Sequence, residues 1–338
     1  MAPAVSVVLP VRNAAATLGR ALASVGAQSF GDWELLAVDD GSADATPAIL
    51  GAAAAADQRI RVLKTPPAGL VAALTAGLAA ARAPLIARLD ADDECRPERF
   101  AQQVALLAAH PEIGVCASRV AFGGDPVAGR GYALHVEWTN SLLTPEEIAL
   151  NRFVESPVAH PSVMFRRELV AAHGGYRATG WPEDYELWLR WLEAGVRFAK
   201  LPTPLVVWHD PPGRLSRTHP DYADAAFAAC KCHYLARWLR THVDPARPLL
   251  LRGSGKPTRR RFATLAEHGV RLAGYVDIAP RKIGTHIGGL PVWAPGTVPP
   301  AGECFVLGAV GTRGAREFIR AELREQGRVE GRDFLMVA

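Results

Sequence analysis

The sequence has few of the features that mark secreted or nucleic-acid-binding proteins. Its 338 residues include only five cysteines, an odd and scattered set, which favours reduced thiols over a disulfide framework or a zinc ribbon. Aromatic residues make up 7% of the chain, and no continuous basic stripe with interleaved aromatic residues occurs, so we expect no nucleic-acid partner. The formal net charge of +4 is mildly basic and suits an anionic substrate or a membrane surface only weakly.

Long apolar runs are also missing. The longest uncharged apolar stretch, residues 69–81, is shorter than the roughly 20 residues that a membrane-spanning helix needs. The amino-terminal segment lacks the basic residues of a secretory signal and meets Pro10 after a short apolar run. These absences predict a cytoplasmic protein without a membrane span, and they leave peripheral association with a membrane open.

Strands alternate with helices in the amino-terminal part of the sequence. Apolar and β-branched runs predict strands at 5–10, 34–38, 59–64 and 84–89, and helical spacing or capping signals predict helices at 14–28, 44–56 and 69–82. This alternation indicates an α/β fold with a doubly wound, mainly parallel sheet. Ligands of such sheets bind beyond the carboxyl ends of the strands.

Three carboxylates follow the fourth predicted strand within four residues: Asp90, Asp92 and Asp93. If the strand continues, Asp90 and Asp92 share a face and repel each other unless a cation lies nearby. Hard divalent ions such as Mg²⁺ and Mn²⁺ prefer oxygen ligands of this kind and keep positions open for phosphate groups. A solvated acidic turn is the alternative for the bare Asp-x-Asp pattern.

Two more polar clusters end predicted strands at the same edge of the sheet. Residues 10–13 follow the first strand, and residues 39–42 follow the second. The carboxylates of Asp39 and Asp40 suit a nucleoside, whose base N–H and ribose hydroxyl groups are hydrogen-bond donors. Because three clusters converge on the edge where ligands bind, a metal–diphosphate site is favoured over three solvated turns.

Together these motifs resemble the amino-terminal half of a family-2 glycosyltransferase of the GT-A fold, with Thr75 as a departure where the family often carries asparagine. The resemblance implies transfer of a sugar from a nucleotide diphosphate donor to an acceptor hydroxyl, with inversion and with Mg²⁺ or Mn²⁺ as cofactor. It implies donor-binding residues Pro10, Arg12, Asn13, Asp39, Asp40, Ser42, Gly69 and Asp90, and metal ligands Asp92, Asp90 and Asp93.

A second block of motifs carries the resemblance further along the chain. Segment 156–166 resembles the family's strand beneath the acceptor cleft, and His160 is assigned to the acceptor site, with a hydrogen-bonded structural histidine as the alternative. Trp181 is either a stacking face for the acceptor or a core residue. The acids Glu183 and Asp184 open a predicted helix and could simply complement its dipole. The resemblance instead makes Asp184 the general base, flanked by Glu183.

The glycosyltransferase pattern ends near residue 215. The loop 211–213 and the segment that follows it resemble the family's loop over the donor diphosphate, which assigns Arg217 to the donor site, with a plain linker as the alternative. We predict a GT-A domain at 1–215, a helical linker at 216–246 and a Rossmann-like α/β domain at 247–338.

The carboxyl-terminal part shows another βαβ-type pattern. A strand at 248–251 leads into Gly253-Ser254-Gly255, followed by a basic helix through His268 and strands at 272–277 and 304–307. The pattern resembles the small Rossmann-like domain ahead of the acyltransferase repeats in some sugar-modifying enzymes. The third glycine of the dinucleotide fingerprint is absent, so a structural, protein-binding or dimer-forming role is favoured over a nucleotide or nucleotide-sugar site.

The leading hypothesis is a metal-dependent inverting glycosyltransferase of the cytoplasm, acting on a glycan or lipid-linked acceptor in surface polysaccharide or glycoconjugate assembly. One alternative is a nucleotidyltransferase, which would use the same acids but would want a glycine-rich first loop that residues 10–14 lack. A non-catalytic nucleotide-sugar-binding protein is the other alternative.

Overall fold

A computed structural model describes residues 2–211 and 213–338, which form two compact units. The first unit consists of residues 2–148, 157–179, 183–211 and 213–219, and the second of residues 149–156, 180–182 and 220–338. Met1, part of the predicted first domain, and Pro212, part of the predicted 211–213 loop, lie outside the described residues. Each unit carries its own sheet.

The first unit is built on an eight-stranded sheet in the order β3-β2-β1-β4-β7-β6-β8-β5. Its strands are β1 (Val5–Val11), β2 (Trp33–Asp40), β3 (Ile60–Thr65), β4 (Leu85–Arg88), β5 (Glu94–Cys95), β6 (Ile113–Phe122), β7 (Met164–Arg166) and β8 (Arg197–Trp208). Strands β7 and β5 run antiparallel to their neighbours, and the other pairings are parallel. The predicted α/β class with a doubly wound, mainly parallel sheet is therefore confirmed.

Helices connect these strands and continue into the second unit. They are α1 (Leu18–Gly26), α2 (Thr46–Ala56), α3 (Leu70–Ala80), α4 (Arg99–Ala109), α5 (Arg130–Ser141), α6 (Pro145–Asn151), α7 (Glu168–His173), α8 (Glu183–Glu193), α9 (Leu215–Thr218), α10 (Asp224–His242), α11 (Lys256–Arg261) and α12 (Ala315–Glu325). Among the residues described, no helix has both the length and the apolar character that crossing a membrane requires.

Each face of the large sheet carries its own hydrophobic core, because side chains alternate along a strand. Val7 and Leu9 of β1 belong to the core that also contains Leu22 of α1. Val8, on the opposite face of the same strand, packs in the core that contains Leu74 of α3. That second core also includes buried side chains of α8, which fixes the position of the helix that carries the acidic pair.

Two predicted elements of the first unit are wrong in extent. The helix predicted from residue 14 begins only at Leu18, and the N–H groups of Ala14 and Ala15, in the turn before it, donate to the side chains of Thr46 and Asp44. Segment 156–166 contains a three-residue 3₁₀ turn, His160–Ser162, followed by the short β7, since its prolines remove backbone donors that a longer strand would need.

The basic helix predicted to reach His268 ends at Arg261 and gives way to a 3₁₀ turn at Ala263–Leu265. Phe262 and Leu265 are both buried there. The N–H groups of Leu265 and Ala266 donate to the carbonyls of Phe262 and Ala263, three residues earlier, at 3.2 and 3.3 Å, which is the hydrogen-bond pattern of a 3₁₀ turn rather than of an α-helix.

The second unit contains a six-stranded sheet in the order β11-β12-β10-β9-β13-β14. Its strands are β9 (Leu249–Arg252), β10 (Gly274–Val276), β11 (His286–Ile287), β12 (Leu290–Trp293), β13 (Phe305–Gly308) and β14 (Phe334–Met336). All pairings except that of β11 with β12 are parallel. This sheet confirms the predicted smaller α/β element, while the predicted domain boundaries stay a prediction.

Gly77 lies where α3 packs closely on β1 and β2. A Cβ atom at this position would lie 2.5 Å from Cγ1 of Val8 and 3.3 Å from Cγ2 of Val38. We expect Gly77→Ala to lower the free energy of unfolding by about 1–3 kcal/mol, the usual cost of overpacking a core. At Gly51, inside α2, no described atom lies within 4 Å of such a Cβ, so Gly51→Ala should be neutral or stabilise by up to about 1 kcal/mol. Urea unfolding of both variants checks this, and equal midpoints would contradict it.

Candidate functional site

The three acidic residues after β4 lie in a turn, which corrects the reason given for their proximity. Strand β4 ends at Arg88, and the N–H of Asp93 donates to the carbonyl of Asp90 at 3.2 Å. Asp90 and Asp92 therefore do not share the face of an extended strand. The turn nevertheless brings one carboxylate oxygen from each of Asp90, Asp92 and Asp93 to within 4.8 Å of one another. We call these three residues the acidic turn.

The negative charge of the acidic turn is only partly compensated. Nη1 of Arg88, whose side chain is 3% exposed, forms an ion pair with Oδ1 of Asp90. Burial, the largest single influence, would raise the pKa of Asp90, but the charge of Arg88 and its hydrogen bond, together with smaller contributions such as that of Arg214, outweigh burial and lower it. Burial and then the charge of Asp90 raise the pKa of Asp92. Arg88 therefore compensates the negative charge of Asp90 more strongly than that of Asp92.

Asp93 is the most deeply buried member of the acidic turn. Burial first, and then the charges of Asp90 and Asp92, raise its pKa well above the ordinary value. Its Oδ1 accepts a hydrogen bond of 2.8 Å from the N–H of His209, directly after β8. Its Oδ2 is buried and has no hydrogen-bond partner within residues 2–211 and 213–338. A buried carboxylate oxygen without a partner, beside two further carboxylates, is suited to binding a cation.

The second acidic cluster, at the end of β2, is held by its own loops. The carboxylate of Asp40, which is 3% exposed, accepts hydrogen bonds from the N–H groups of Ala68 at 2.7 Å and Gly69 at 3.0 Å. Arg12 lies 3.3 Å from the same carboxylate. Gly69 has a φ of 91°, which favours glycine, and it precedes α3. Asp40 therefore fixes the loop before α3, and its assignment to the nucleoside stays a prediction.

The loop after β1 is tied to the loop after β2. Pro10 is buried in β1, and Asn13 has a φ of 48°, a conformation that asparagine tolerates better than most residues. The N–H of Asn13 donates to Oγ of Ser42 at 2.9 Å, and the N–H of Ser42 donates to Oδ1 of Asp39 at 3.0 Å. The predicted donor residues of β1 and β2 therefore form one connected edge.

Glu183 and Asp184 occupy the first turn of α8, as predicted. Burial, and then the charge of Glu183, raise the pKa of Asp184 to about 6. The N–H of Tyr185 donates to Oδ1 of Asp184 at 2.7 Å, which opposes that rise. A helix start alone would lower the pKa of a carboxylate, so burial outweighs the helix dipole here. The result is a carboxylate that exchanges its proton near neutral pH.

His160 is a buried member of the same region. It is 6% exposed, its Nε2 lies 2.7 Å from the hydroxyl of Tyr176, and its Nδ1 lies 3.5 Å from Oε1 of Glu183. Burial and then the positive charge of Arg88 lower the pKa of His160 to about 3. The imidazole is therefore neutral at physiological pH. These contacts match the structural alternative for His160, and its acceptor role stays a prediction.

Arg88 links the two groups of acids, and sequence reasoning did not assign it a role. It forms an ion pair with Asp90, and its charge also acts on Glu183 and lowers the pKa of Asp184. A buried guanidinium between two acidic groups reduces the repulsion that each would suffer alone. The sequence signal was present as an arginine two residues before Asp90 at the end of an apolar run.

The segment after β8 offers two arginines. Arg217, the predicted donor residue, is paired with Asp210, with its Nε 3.2 Å from Oδ1. The guanidinium of Arg214 instead lies 4.2 Å from the centre of the Trp208 ring. Its positive charge contributes to the lowered pKa of Asp90 and opposes the rise in the pKa of Asp92 and Asp93. Sequence reasoning assigned no role to Arg214, and the role of Arg217 stays a prediction.

Trp181 belongs to the second unit. Its ring is half-buried, and the ring centre lies 5.3 Å from that of His233 in α10. This packing is compatible with the core alternative, and stacking of Trp181 on an acceptor stays a prediction.

Comparisons with known proteins bear on this site. Residues 6–174 match the protein family described as "Glycosyl transferase family 2". The chain is 33% identical over 138 residues to the "Amylovoran biosynthesis glycosyltransferase AmsE" of Erwinia amylovora, an alignment that covers 41% of this chain and 49% of that protein. It is 30% identical over 255 residues to the "Putative glycosyltransferase EpsE" of Bacillus subtilis, an alignment that covers 73% of this chain and 88% of EpsE. The chain thus spans about half of AmsE and most of EpsE.

A solved structure shows the same architecture. S. aureus TarS, crystallised in complex with UDP-GlcNAc, superposes with a TM-score of 0.56 at 18% sequence identity. The superposition covers 79% of this chain and 72% of that one. At this level of identity the likeness concerns the fold alone.

Proposed function

This chain belongs to glycosyl transferase family 2, with the GT-A type of fold, and we propose that it transfers a sugar from a nucleotide diphosphate donor to an acceptor hydroxyl with inversion at the anomeric carbon. The observation that carries this proposal is the acidic turn, in which three carboxylate oxygens lie within 4.8 Å of one another at the ligand-binding edge of the sheet. The family assignment favours glycosyl transfer over the nucleotidyl transfer that the sequence left open.

The acidic turn fits a divalent ion, Mg²⁺ or Mn²⁺. Asp92, Asp90 and Asp93 would hold it, and the buried, unpartnered Oδ2 of Asp93 supports this assignment. Carboxylate oxygens are the ligands that both ions prefer. When bound, the ion supplies positive charge that stabilises the leaving nucleoside diphosphate. Arg214, whose charge acts on the same carboxylates, adds a cation for the phosphate groups.

Asp184 is the general base in this proposal. The acceptor hydroxyl must lose its proton as its oxygen attacks the anomeric carbon, and a base is most effective when its pKa lies near the working pH. The pKa of about 6 meets that requirement. Glu183 raises the pKa of Asp184, and Nδ1 of the neutral His160 lies 3.5 Å from Oε1 of Glu183. Glu183 therefore tunes the base electrostatically.

The remaining predicted residues complete the proposal. Donor contacts are assigned to Pro10, Arg12, Asn13, Asp39, Asp40, Ser42, Gly69 and Arg217, and acceptor contacts to His160 and Trp181. A glycan or lipid-linked acceptor in surface polysaccharide or glycoconjugate assembly is supported by the similarity to AmsE, a protein named for amylovoran biosynthesis. The domain division at residues 215 and 246, a location in the cytoplasm, peripheral membrane association and a homodimer stay predictions.

Product analysis tests this proposal directly. The purified chain is incubated with UDP-, GDP- and dTDP-sugars and a panel of lipid-linked and free glycans, with either Mn²⁺ or EDTA present. Release of the nucleoside diphosphate identifies the donor, and NMR of the product gives its anomeric configuration. We expect release that requires the metal and a product of inverted configuration. Retention of configuration, or equal release in EDTA, would contradict the mechanism.

A further inference from the structure

A cavity of about 520 Å³ lies in the second unit, at the carboxyl ends of its central strands. Arg252 at the end of β9, Val276 at the end of β10 and loop 310–312 after β13 contribute to its lining. The chain passes from β9 to β10 on one side and returns to β13 on the other, so the strand order reverses between β9 and β13. Open α/β sheets bind ligands at such switch points, and cavities of roughly 300–1,000 Å³ suit small molecules.

Backbone without side chains lines part of this cavity. Gly253 has a φ of 116°, a conformation that other residues rarely adopt, and a Cβ atom there would lie 3.0 Å from Cγ2 of Val310. Gly311 lies on the other loop of the lining. Glycine at such positions allows a ligand to approach the main chain closely.

The charges around the cavity leave one cation uncompensated. Arg252 is paired with Glu322, and Asp277 is paired with Lys282 at 2.8 Å. Arg261 also lines the cavity, and within residues 2–211 and 213–338 no carboxylate forms an ion pair with its guanidinium. The lining therefore carries a net positive charge, which favours an anionic ligand. A guanidinium suits phosphate oxygens in particular.

Two exposed hydrophobic side chains line the same cavity. Ile278 is 72% exposed and Phe318 is 65% exposed, although large apolar side chains are usually buried. Val276 and Ile319, also in the lining, are buried and give the cavity an apolar floor. An exposed aromatic ring and an aliphatic side chain beside a free guanidinium match a ligand that is planar and apolar at one end and anionic at the other.

We propose that this cavity binds a nucleoside diphosphate, free or as part of a nucleotide sugar, with its phosphates at Arg261 and its base against Phe318 and Ile278. The absence of the third fingerprint glycine excludes the dinucleotide fingerprint and leaves a mononucleotide site open. The site lies in a different unit from the acidic turn and does not depend on the proposed reaction.

Equilibrium dialysis of the full chain with UDP, GDP, ADP and dTDP tests this site by counting bound nucleotides per chain. The measurement uses the Asp92→Asn variant in EDTA, so that metal-dependent binding at the acidic turn is suppressed. We expect one nucleoside diphosphate to remain bound per chain. Adding Arg261→Ala or Phe318→Ala should weaken its binding at least about tenfold, the scale of losing one charged hydrogen bond or one stacking contact.

Arg260→Ala is the matched control, because Arg260 precedes Arg261 on the same helix, is exposed and lies outside the cavity lining. It should leave binding unchanged. Binding of none of the four nucleotides would overturn the proposal, as would binding that Arg261→Ala and Phe318→Ala leave unchanged. Thermal unfolding of each variant verifies that it is folded. Failure here leaves the metal-dependent reaction untouched, because that reaction is measured by product formation.

Discussion

Replacing Asp92 by asparagine is expected to remove metal-dependent nucleotide binding and to lower transfer activity on the order of 100-fold or more. The substitution keeps the size of the side chain and removes the charge that a divalent ion requires. Asp92 is the informative choice because the other two carboxylates have structural contacts. That of Asp90 is paired with Arg88, and Oδ1 of Asp93 accepts a hydrogen bond from the N–H of His209. Losing Asp92 therefore weakens cation binding without releasing a structural contact of its carboxylate.

Thermal unfolding with nucleoside diphosphates, with and without Mn²⁺, measures the binding half of this prediction. A ligand at 100 times its Kd stabilises the folded state by about 2.7 kcal/mol, which is a shift of several degrees. The wild-type chain should show a larger shift with Mn²⁺ than without, and Asp92→Asn should show no such difference. Glu98→Gln, an exposed carboxylate near the acidic turn, is the control and should behave as wild type. A metal-dependent shift that survives Asp92→Asn would place the ion elsewhere.

The first half of the fold could be predicted from the sequence because its signals are local. Strands β1 and β2 are buried throughout and carry the apolar runs 7–11 and 35–38, although β2 also buries Glu34, Asp39 and Asp40, and the parallel order follows from helices between the strands. The polar clusters after β1, β2 and β4 then had to meet at one edge. Elements without a local signal were misjudged, as in the 156–166 segment, where two prolines and tertiary contacts outweigh strand propensity.

The sequence predicted which acidic residues lie in the candidate site better than it predicted the contacts between them. Spacing placed Asp90 and Asp92 together, yet a turn rather than a strand does so in the structure. The sequence assigned the donor role to Arg217, which stays a prediction, and did not show that Arg217 pairs with Asp210. Ion pairs across the fold depend on three-dimensional distances, which residue spacing does not encode.

Long-range electrostatics also decided the state of the acidic pair in α8. A first-turn carboxylate has two opposing influences, the helix dipole and burial, and their balance depends on neighbours far away in sequence. One such neighbour is Arg88 on β4, whose charge opposes the rise in the pKa of Asp184, whereas burial, the largest cause, and the adjacent Glu183 produce that rise. The sequence identified Asp184 as the candidate base, and only the packing around it explains why its pKa rises.

Asp184→Asn is expected to lower the transfer rate about 10²–10⁴-fold, the usual contribution of a general base. An amide cannot take the proton of the acceptor hydroxyl. Because the base must be deprotonated and its pKa is about 6, the wild-type rate should rise with pH up to about 6 and then level off. Glu193→Gln, at the exposed end of the same helix, is the control and should leave the rate and its pH dependence unchanged.

The same substitution is expected to raise thermal stability at neutral and basic pH. The folded chain raises the pKa of Asp184 from its ordinary value of 3.8 to about 6, so the cost of ionising it in the folded state grows between these two pH values and is constant above about 6. Asparagine removes that cost, and the gain in stability should shrink as the pH falls and vanish below 3.8, where both states bind the proton. Thermal unfolding at several pH values measures this. A variant that loses activity while gaining stability identifies Asp184 as a residue kept for chemistry, whereas loss of both would make it a structural residue.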